Sequence, residues 1–236
     1  MPGGGTGPLG SRALLLAAVL FFLGFLSLAV VAAHDRFFSL DHAARGAVGL
    51  TRHPALDPAM RAVSFLGENL GLVPLIALGA GLMWRGRRRW ALALPPLMAG
   101  TGGLQHVAKW SVDRPRPNLE AWGFPSGHVL SLVVFFGLLT YLLCTSTAKR
   151  RWQCLGSAGC ALTVLLVAFS RLYLEKHWVS DVAGGFMLGL AYLLPVIWLV
   201  DTVVAGQLGG AGAADIVPDA ASQLAMGPGV ETLSVS

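Results

Sequence analysis

Six apolar stretches, each long enough or nearly long enough to cross a bilayer, dominate this chain and leave few folds open to it. They run from Ala13 to Ala33, within Ala62 to Trp84, and from about Trp90 to Ala108. The others run from about Val129 to Thr147, from Cys154 to Phe169, and from Val179 to Val200. About 20 apolar residues in a helix span roughly 30 Å of hydrocarbon. Only 12% of the 236 residues are charged and 55% are hydrophobic, whereas a soluble domain carries about a quarter charged residues. The expected fold is therefore all-α: a six-span transmembrane helix bundle over residues 13–200. Residues 1–12 and 201–236, rich in Gly, Pro and small polar residues, are expected to be flexible ends. Glu68 and Asn69 interrupt the second stretch, and Pro95, Pro96 and Pro195 lie inside spans where neighbouring helices can satisfy the freed carbonyls. The first stretch has 21 residues, longer than the ~7–15 of a signal-peptide core, so it reads as an uncleaved span.

The formal charge of +5 does not mark a nucleic-acid binder, because the basic residues cluster at the ends of apolar runs, as membrane proteins place them. Cys144, Cys154 and Cys160 lie in or beside apolar stretches without metal-ligand spacing and read as small hydrophobes. Parity puts 34–61, 109–128 and 170–178 on one face. The loops around 85–89 and 148–153 fall on the other, with both termini. Arg85, Arg87, Arg88, Arg89, Lys149, Arg150 and Arg151 crowd those two short loops, so this second face is expected to be cytoplasmic.

The opposite, extracytoplasmic face gathers groups suited to an anion. Taken alone, Lys109, Arg114 and Arg116 read as interfacial anchors; with Pro115 and Pro117 stiffening the loop, they also read as a phosphate clamp. Pro125-Ser126-Gly127-His128 reads as a helix start. Its free amides and Gly127 would let a phosphate approach the backbone, with His128 beside it as a proton donor. His177 and Asp181 are four apart, hence one turn apart on one helix face. Asp181 can hold one imidazole nitrogen and leave the other free to attack. An acid and a histidine at the mouth of a span read first as functional, although a plain interfacial salt link has the same spacing. No His/Cys/carboxylate cluster has metal-ligand spacing, and the cations take the charge-neutralising role that a metal ion has elsewhere. No cofactor is expected.

In order and spacing, three segments resemble the signature of the type 2 phosphatidic acid phosphatase superfamily. They are Lys109-(six residues)-Arg116-Pro117, Pro125-Ser126-Gly127-His128 and Ser170-Arg171-(five residues)-His177-(three residues)-Asp181. The six-span layout is similar to the membrane lipid phosphate phosphatases of that superfamily, and the compact chain to their bacterial members. The resemblance implies that His177 forms a phosphohistidine, that Asp181 orients it, and that His128 protonates the leaving group and later helps activate water. It further implies that Lys109, Arg116, Ser126, Gly127 and Arg171 bind the phosphate. Val129 stands where an Ala is more usual. Arg114 falls outside the matched positions and is a candidate headgroup contact, as are Glu68, Asn69, Trp122 and Tyr173. The implied substrate is a lipid phosphate in the bilayer: a polyprenyl diphosphate, phosphatidic acid or phosphatidylglycerol phosphate. Transfer of the phosphate to a lipid or sugar acceptor, and lipid binding without catalysis, are the alternatives. A haloperoxidase is disfavoured because those relatives are typically soluble. The sequence carries no signal for an oligomeric state.

Overall fold

A computed structural model describes residues 8–34 and 37–214; the expected flexible segments at 1–7 and 215–236 lie outside them. Eight helices make up the described chain: α1 (Pro8–His34), α2 (Ser39–Gly49), α3 (Asp57–Phe65), α4 (Asn69–Met83), α5 (Arg88–Val112), α6 (Gly127–Cys144), α7 (Arg150–Tyr173) and α8 (Val179–Ala214). The helix α6 is apolar on nearly every face. A helix of that kind is stable only when surrounded, and α6 packs against α5, α7 and α8. Leu130, Leu132, Val134 and Leu138 are completely buried along it. The helix α1 lies along α8, and α4 along α5. Exposed Leu16, Leu20, Leu78, Leu162 and Leu199 face outward, as a lipid-facing surface requires.

Among the described residues, four helices are long and apolar enough to cross a membrane: Arg12–His34, Gly127–Cys144, Arg150–Tyr173 and Val179–Thr202. The expected second span is broken. The helices α3 and α4 together meet the same test, but they meet at a bend of 49°, at the place where Glu68 and Asn69 interrupt the apolar run. The expected third span lies within α5, which has 25 residues and is long enough to cross. Its hydropathy is lowered by Pro95, Pro96, Gln105 and His106. Both ends extend the expected spans, since α1 begins at Pro8 and α8 continues to Ala214. The segment 34–61, expected only as a loop, contains α2 and the start of α3.

Glycines set how closely the helices approach around α6. A Cβ at Gly185 of α8 would lie 2.5 Å from the backbone oxygen of Ser126, and one at Gly189 would lie 2.9 Å from Val133. These contacts bring α8 against the N-terminus of α6, where two of the three signature segments meet.

Candidate active site

The first segment leaves α5 through Asp113, which ends the helix in the left-handed region (φ 42°), a conformation Asp tolerates better than most residues. The following loop is pinned from two sides. The Gly123 N–H donates to the Arg114 carbonyl at 2.6 Å, the Arg116 N–H donates to the Glu120 carbonyl at 2.8 Å, and Trp178 Nε1 donates to the Pro115 carbonyl at 3.0 Å. Arg116 is thereby held with Nη1 on Glu120 Oε2 at 2.6 Å, and the other Glu120 oxygen accepts from Lys176 at 3.0 Å. Lys109 occupies the last turn of α5.

The second segment starts α6. Ser126 is its extended N-terminal cap, and the Ser126 N–H donates to the Asp181 carbonyl at 2.9 Å. Gly127 cannot be replaced without movement, because an added Cβ would fall 1.6 Å from Gln105 Oε1. The His128 ring packs against Gly67, at the break between α3 and α4.

The third segment joins α7 to α8. Arg171, in the last turn of α7, donates from Nη1 to Ser64 Oγ of α3 at 2.6 Å. His177 is not on the helix with Asp181, as its spacing suggests, but in the turn before it. The reason is local: Asp181 Oδ2 accepts the Trp178 N–H at 2.8 Å, so α8 begins only at Val179. The two side chains still meet, with His177 Nδ1 3.5 Å from Asp181 Oδ2, longer than an ordinary hydrogen bond.

These segments converge on one cavity of about 350 Å³, lined by Lys109, Arg116, Gly127, His128, Arg171 and His177 together with Gly67, Glu68, Asn69, Leu72, Gln105 and Ser131. Ser126, next to Gly127, and Asp181, against His177 Nδ1, do not line it and have no exposed surface. Buried polar groups are nearly always hydrogen-bonded. Among the described residues, the buried side-chain atoms without a hydrogen-bond partner are Arg116 Nε, Ser126 Oγ, His128 Nε2, Arg171 Nε and His177 Nδ1. Every one belongs to a residue of the three segments, and each can donate. Three cations and the unused donors of Arg116, His128 and Arg171 around one space suit a polyanion with several oxygens, and a phosphate group has that chemistry. His177 lies outside both flanking spans. Burial is the largest influence on it and lowers its pKa to about 4, against the opposing pull of Asp181. At neutral pH its ring is uncharged, so one ring nitrogen keeps a lone pair. Among the described residues no three His, Cys, Asp or Glu side chains cluster so as to hold a metal.

Four headgroup candidates fare differently. Glu68 and Asn69 line the cavity. Tyr173 does not: it is buried, and its hydroxyl donates to Asp57 Oδ1 and accepts from the His53 N–H at 2.9 Å, which ties α7 to the segment before α3. Trp122 meets His106 edge-to-face on the surface. Arg114, also read as a headgroup contact, is 1% exposed; it donates to Asp181 Oδ1 at 2.6 Å and to Asp41 Oδ2 at 2.5 Å. Gln105, Gly67 and Ser64 were not expected at the site. A Gln near the end of an apolar span is a weak signal, and the other two carry none.

Residues 90–205 match the PAP2 superfamily. The chain is 34% identical to phosphatidylglycerophosphatase B of Bacillus subtilis over 183 residues, covering 73% of this chain and 89% of that one. It is 30% identical to decaprenylphosphoryl-5-phosphoribose phosphatase of Mycobacterium tuberculosis over 177 residues, 67% of this chain and 86% of that one. Among solved structures, a transmembrane PAP2-type phosphatidylglycerolphosphate phosphatase from Bacillus subtilis superposes with a TM-score of 0.71 at 29% identity, covering 79% of this chain and 96% of the other. With its apolar helices, its three complete signature segments and these relatives, the chain is an integral membrane protein that belongs to the PAP2 superfamily.

Proposed function

We propose that the protein is a metal-independent phosphatase of membrane lipid phosphates that works through a phosphohistidine at His177. The observation that carries this reading is the set of unpartnered buried donors on Arg116, Arg171 and His128 around the cavity that His177 lines, with that of Ser126 beside Gly127. Lys109, Arg116 and Arg171 hold the phosphate oxygens and neutralise their charge, and Ser126 with the amides at Gly127 completes the cradle. His177 Nδ1 faces Asp181, so Nε2 forms the bond to phosphorus. As it does, the bond from phosphorus to the lipid oxygen breaks, and that oxygen takes a proton from His128. Water then attacks the phosphohistidine and gives a proton to His128, and the P–N bond breaks to release inorganic phosphate.

The substrate reaches the cavity from the bilayer, through the side bounded by the α3–α4 break and the end of α5. Two of the similar proteins, a sequence relative and a solved structure, are named for phosphatidylglycerol phosphate, which makes that lipid the first to test. We place the site on the extracytoplasmic side of the cell membrane and both termini in the cytoplasm. In support, Arg87, Arg88 and Arg89 border a separate cavity with Thr145, Ser146 and Thr147 of the loop before α7. Neither of these loops belongs to the site.

The test is phosphate release by detergent-purified protein in excess EDTA, from phosphatidylglycerol phosphate, phosphatidic acid and undecaprenyl diphosphate, with His177→Ala as blank. Release that survives EDTA and falls to background in the variant is expected. Release that EDTA abolishes, or that His177→Ala retains, overturns the mechanism.

A further inference from the structure

Behind His177 lies a closed ring of charge that no signature position accounts for except Asp181. Arg114 donates through Nη1 to Asp181 Oδ1 and to Ser180 Oγ, each at 2.6 Å, and through Nη2 to Asp41 Oδ2 at 2.5 Å. Asp41 Oδ1 accepts the Ser180 N–H at 2.9 Å, and the Ser180 hydroxyl donates to Asp41 at 2.8 Å. Asp41 comes from α2, Arg114 from the loop after α5, and Ser180 and Asp181 from α8. Both side chains of the Arg114–Asp41 pair and of the Arg114–Asp181 pair are fully inaccessible to solvent. The rings of Phe37, Phe38 and Trp178 lie 5.6, 5.8 and 5.9 Å from the guanidinium carbon.

Buried ion pairs of this kind add little stability over apolar packing, so their contribution is sought in what they do to Asp181. A lone Arg114 would fix the carboxylate but also neutralise it, and a neutralised partner does little for a histidine that turns cationic. With Asp41 on the other arm of the guanidinium, two carboxylates share one cation and a net negative charge remains. That charge faces His177 Nδ1 across 3.5 Å. When Nε2 bonds to phosphorus, the imidazole becomes an N-phosphorylated cation that keeps its Nδ1 proton, and the whole ring of groups becomes neutral in a place that water does not reach.

We infer that Asp41 and Arg114 are positioning residues of the reaction: together they hold Asp181 in place and leave it its charge, and Arg114 is not a substrate contact. The inference rests on His177 being the nucleophile. Neither residue touches the cavity, since neither lines it, so substrate binding is expected to be independent of both.

The test uses full-length protein in detergent with Asp41→Asn, Arg114→Lys and Ser180→Ala, the last removing only the bridging hydroxyl. Activity is measured on a short-chain phosphatidic acid, with orthovanadate and inorganic phosphate as inhibitors. Vanadate bonds to the attacking nitrogen as the reaction's pentacoordinate phosphorus does, so its affinity reports on His177 apart from turnover. Asp41→Asn is expected to lower kcat by roughly 10- to 100-fold, as groups that orient a reacting side chain do. KM and phosphate inhibition are expected to stay within about threefold, and vanadate affinity to fall in proportion to kcat. Ser180→Ala is expected to shift both in the same direction by less than about tenfold. A purely structural role would lower folded yield and Tm without separating vanadate from phosphate. If Asp41→Asn and Ser180→Ala fold and keep normal kcat and vanadate affinity, the inference is wrong. If Arg114→Lys raises KM at constant kcat, Arg114 is a substrate contact and the inference is likewise wrong. Activity retained in His177→Ala would instead remove the nucleophile assignment on which both readings depend.

Discussion

Replacing Gly67 by Ala tests whether the break in the second span positions His128, the proposed leaving-group acid. Gly67 lies between α3 and α4, and no described glycine has positive φ, so alanine fits the backbone and any effect is steric. Its Cβ would lie 2.7 Å from His128 Cδ2 and 2.9 Å from both Cβ and Cγ of the same residue. Two of these atoms sit at the root of the side chain, so rotating the ring does not relieve the overlap. Ordinary contact begins near 3.4 Å, which requires His128 and residues 66–68 to separate by about 0.7 Å. Overpacking of this size costs about 1–3 kcal/mol of stability, and a misplacement on the order of 1 Å costs about 10²-fold in rate. We expect kcat on lipid phosphates to fall roughly 30- to 100-fold with KM within about threefold. The assay that isolates His128 compares a lipid phosphate with p-nitrophenyl phosphate, whose leaving group departs without a proton; there the loss should be under about fivefold. Equal losses on both substrates would show that alanine disrupts phosphate binding and not the acid, and no loss on either would refute the packing argument.

Two further perturbations and one pH dependence follow from the same geometry. Gly185→Ala would place a methyl 2.5 Å from the Ser126 carbonyl; backbone cannot yield there, so α8 must retreat from α6 at a cost of about 1–3 kcal/mol, seen as a lower Tm in detergent together with lost phosphate release. Glu120→Gln releases Arg116 and Lys176 from the carboxylate that pairs with both at 2.6 and 3.0 Å, and inorganic phosphate should then inhibit roughly two- to fivefold more strongly. His177 titrates at about 4 when folded and near 6.5 when unfolded. The unfolded chain therefore binds the proton first as pH falls, and stability is complete above pH 6.5 and declines down to about 4. Because His177 is 3% exposed, the full difference applies, on the order of 3 kcal/mol. Tm between pH 7 and pH 5 should drop in the wild type and drop less in His177→Ala; equal drops would show that His177 is not held neutral.

How far the sequence reaches depends on whether the cause is local. The helices α1, α6, α7 and α8 are legible because uninterrupted apolar runs in a membrane protein have no alternative to the helix. Glu68 and Asn69 mark the weak point of the second span, but the run alone does not reveal that the break brings Gly67 under His128, since that contact depends on where α6 packs. Six of the eight expected site residues line the cavity, because the spacing within each segment is set by turns the residues themselves impose. Asp41 is different. It is an acid in a stretch read as loop, and its partner Arg114 is 73 residues away, so nothing near it in the chain signals burial. Arg114 is misread for the same reason: beside two prolines at a span end, it looks like its neighbour Arg116.

The contrast between those two arginines shows how the site divides its charge. Arg116 keeps Nε unpartnered at the cavity, while Arg114, two residues earlier, has both Nη atoms engaged with carboxylates away from it. The cations Lys109, Arg116 and Arg171 therefore stand in front of His177, and Asp41 and Asp181 stand behind it with one guanidinium between them. In the proposed reaction electron density leaves Nε2 toward a phosphorus surrounded by positive charge, and the imidazole becomes cationic toward a region of net negative charge. Both changes run down the field that the folded chain already holds. Such preorganisation is commonly the largest single contribution to catalysis. Here it would be assembled from residues of α2, α5, α7, α8 and two loops, so the helices that embed the chain in the bilayer also set the direction of that field.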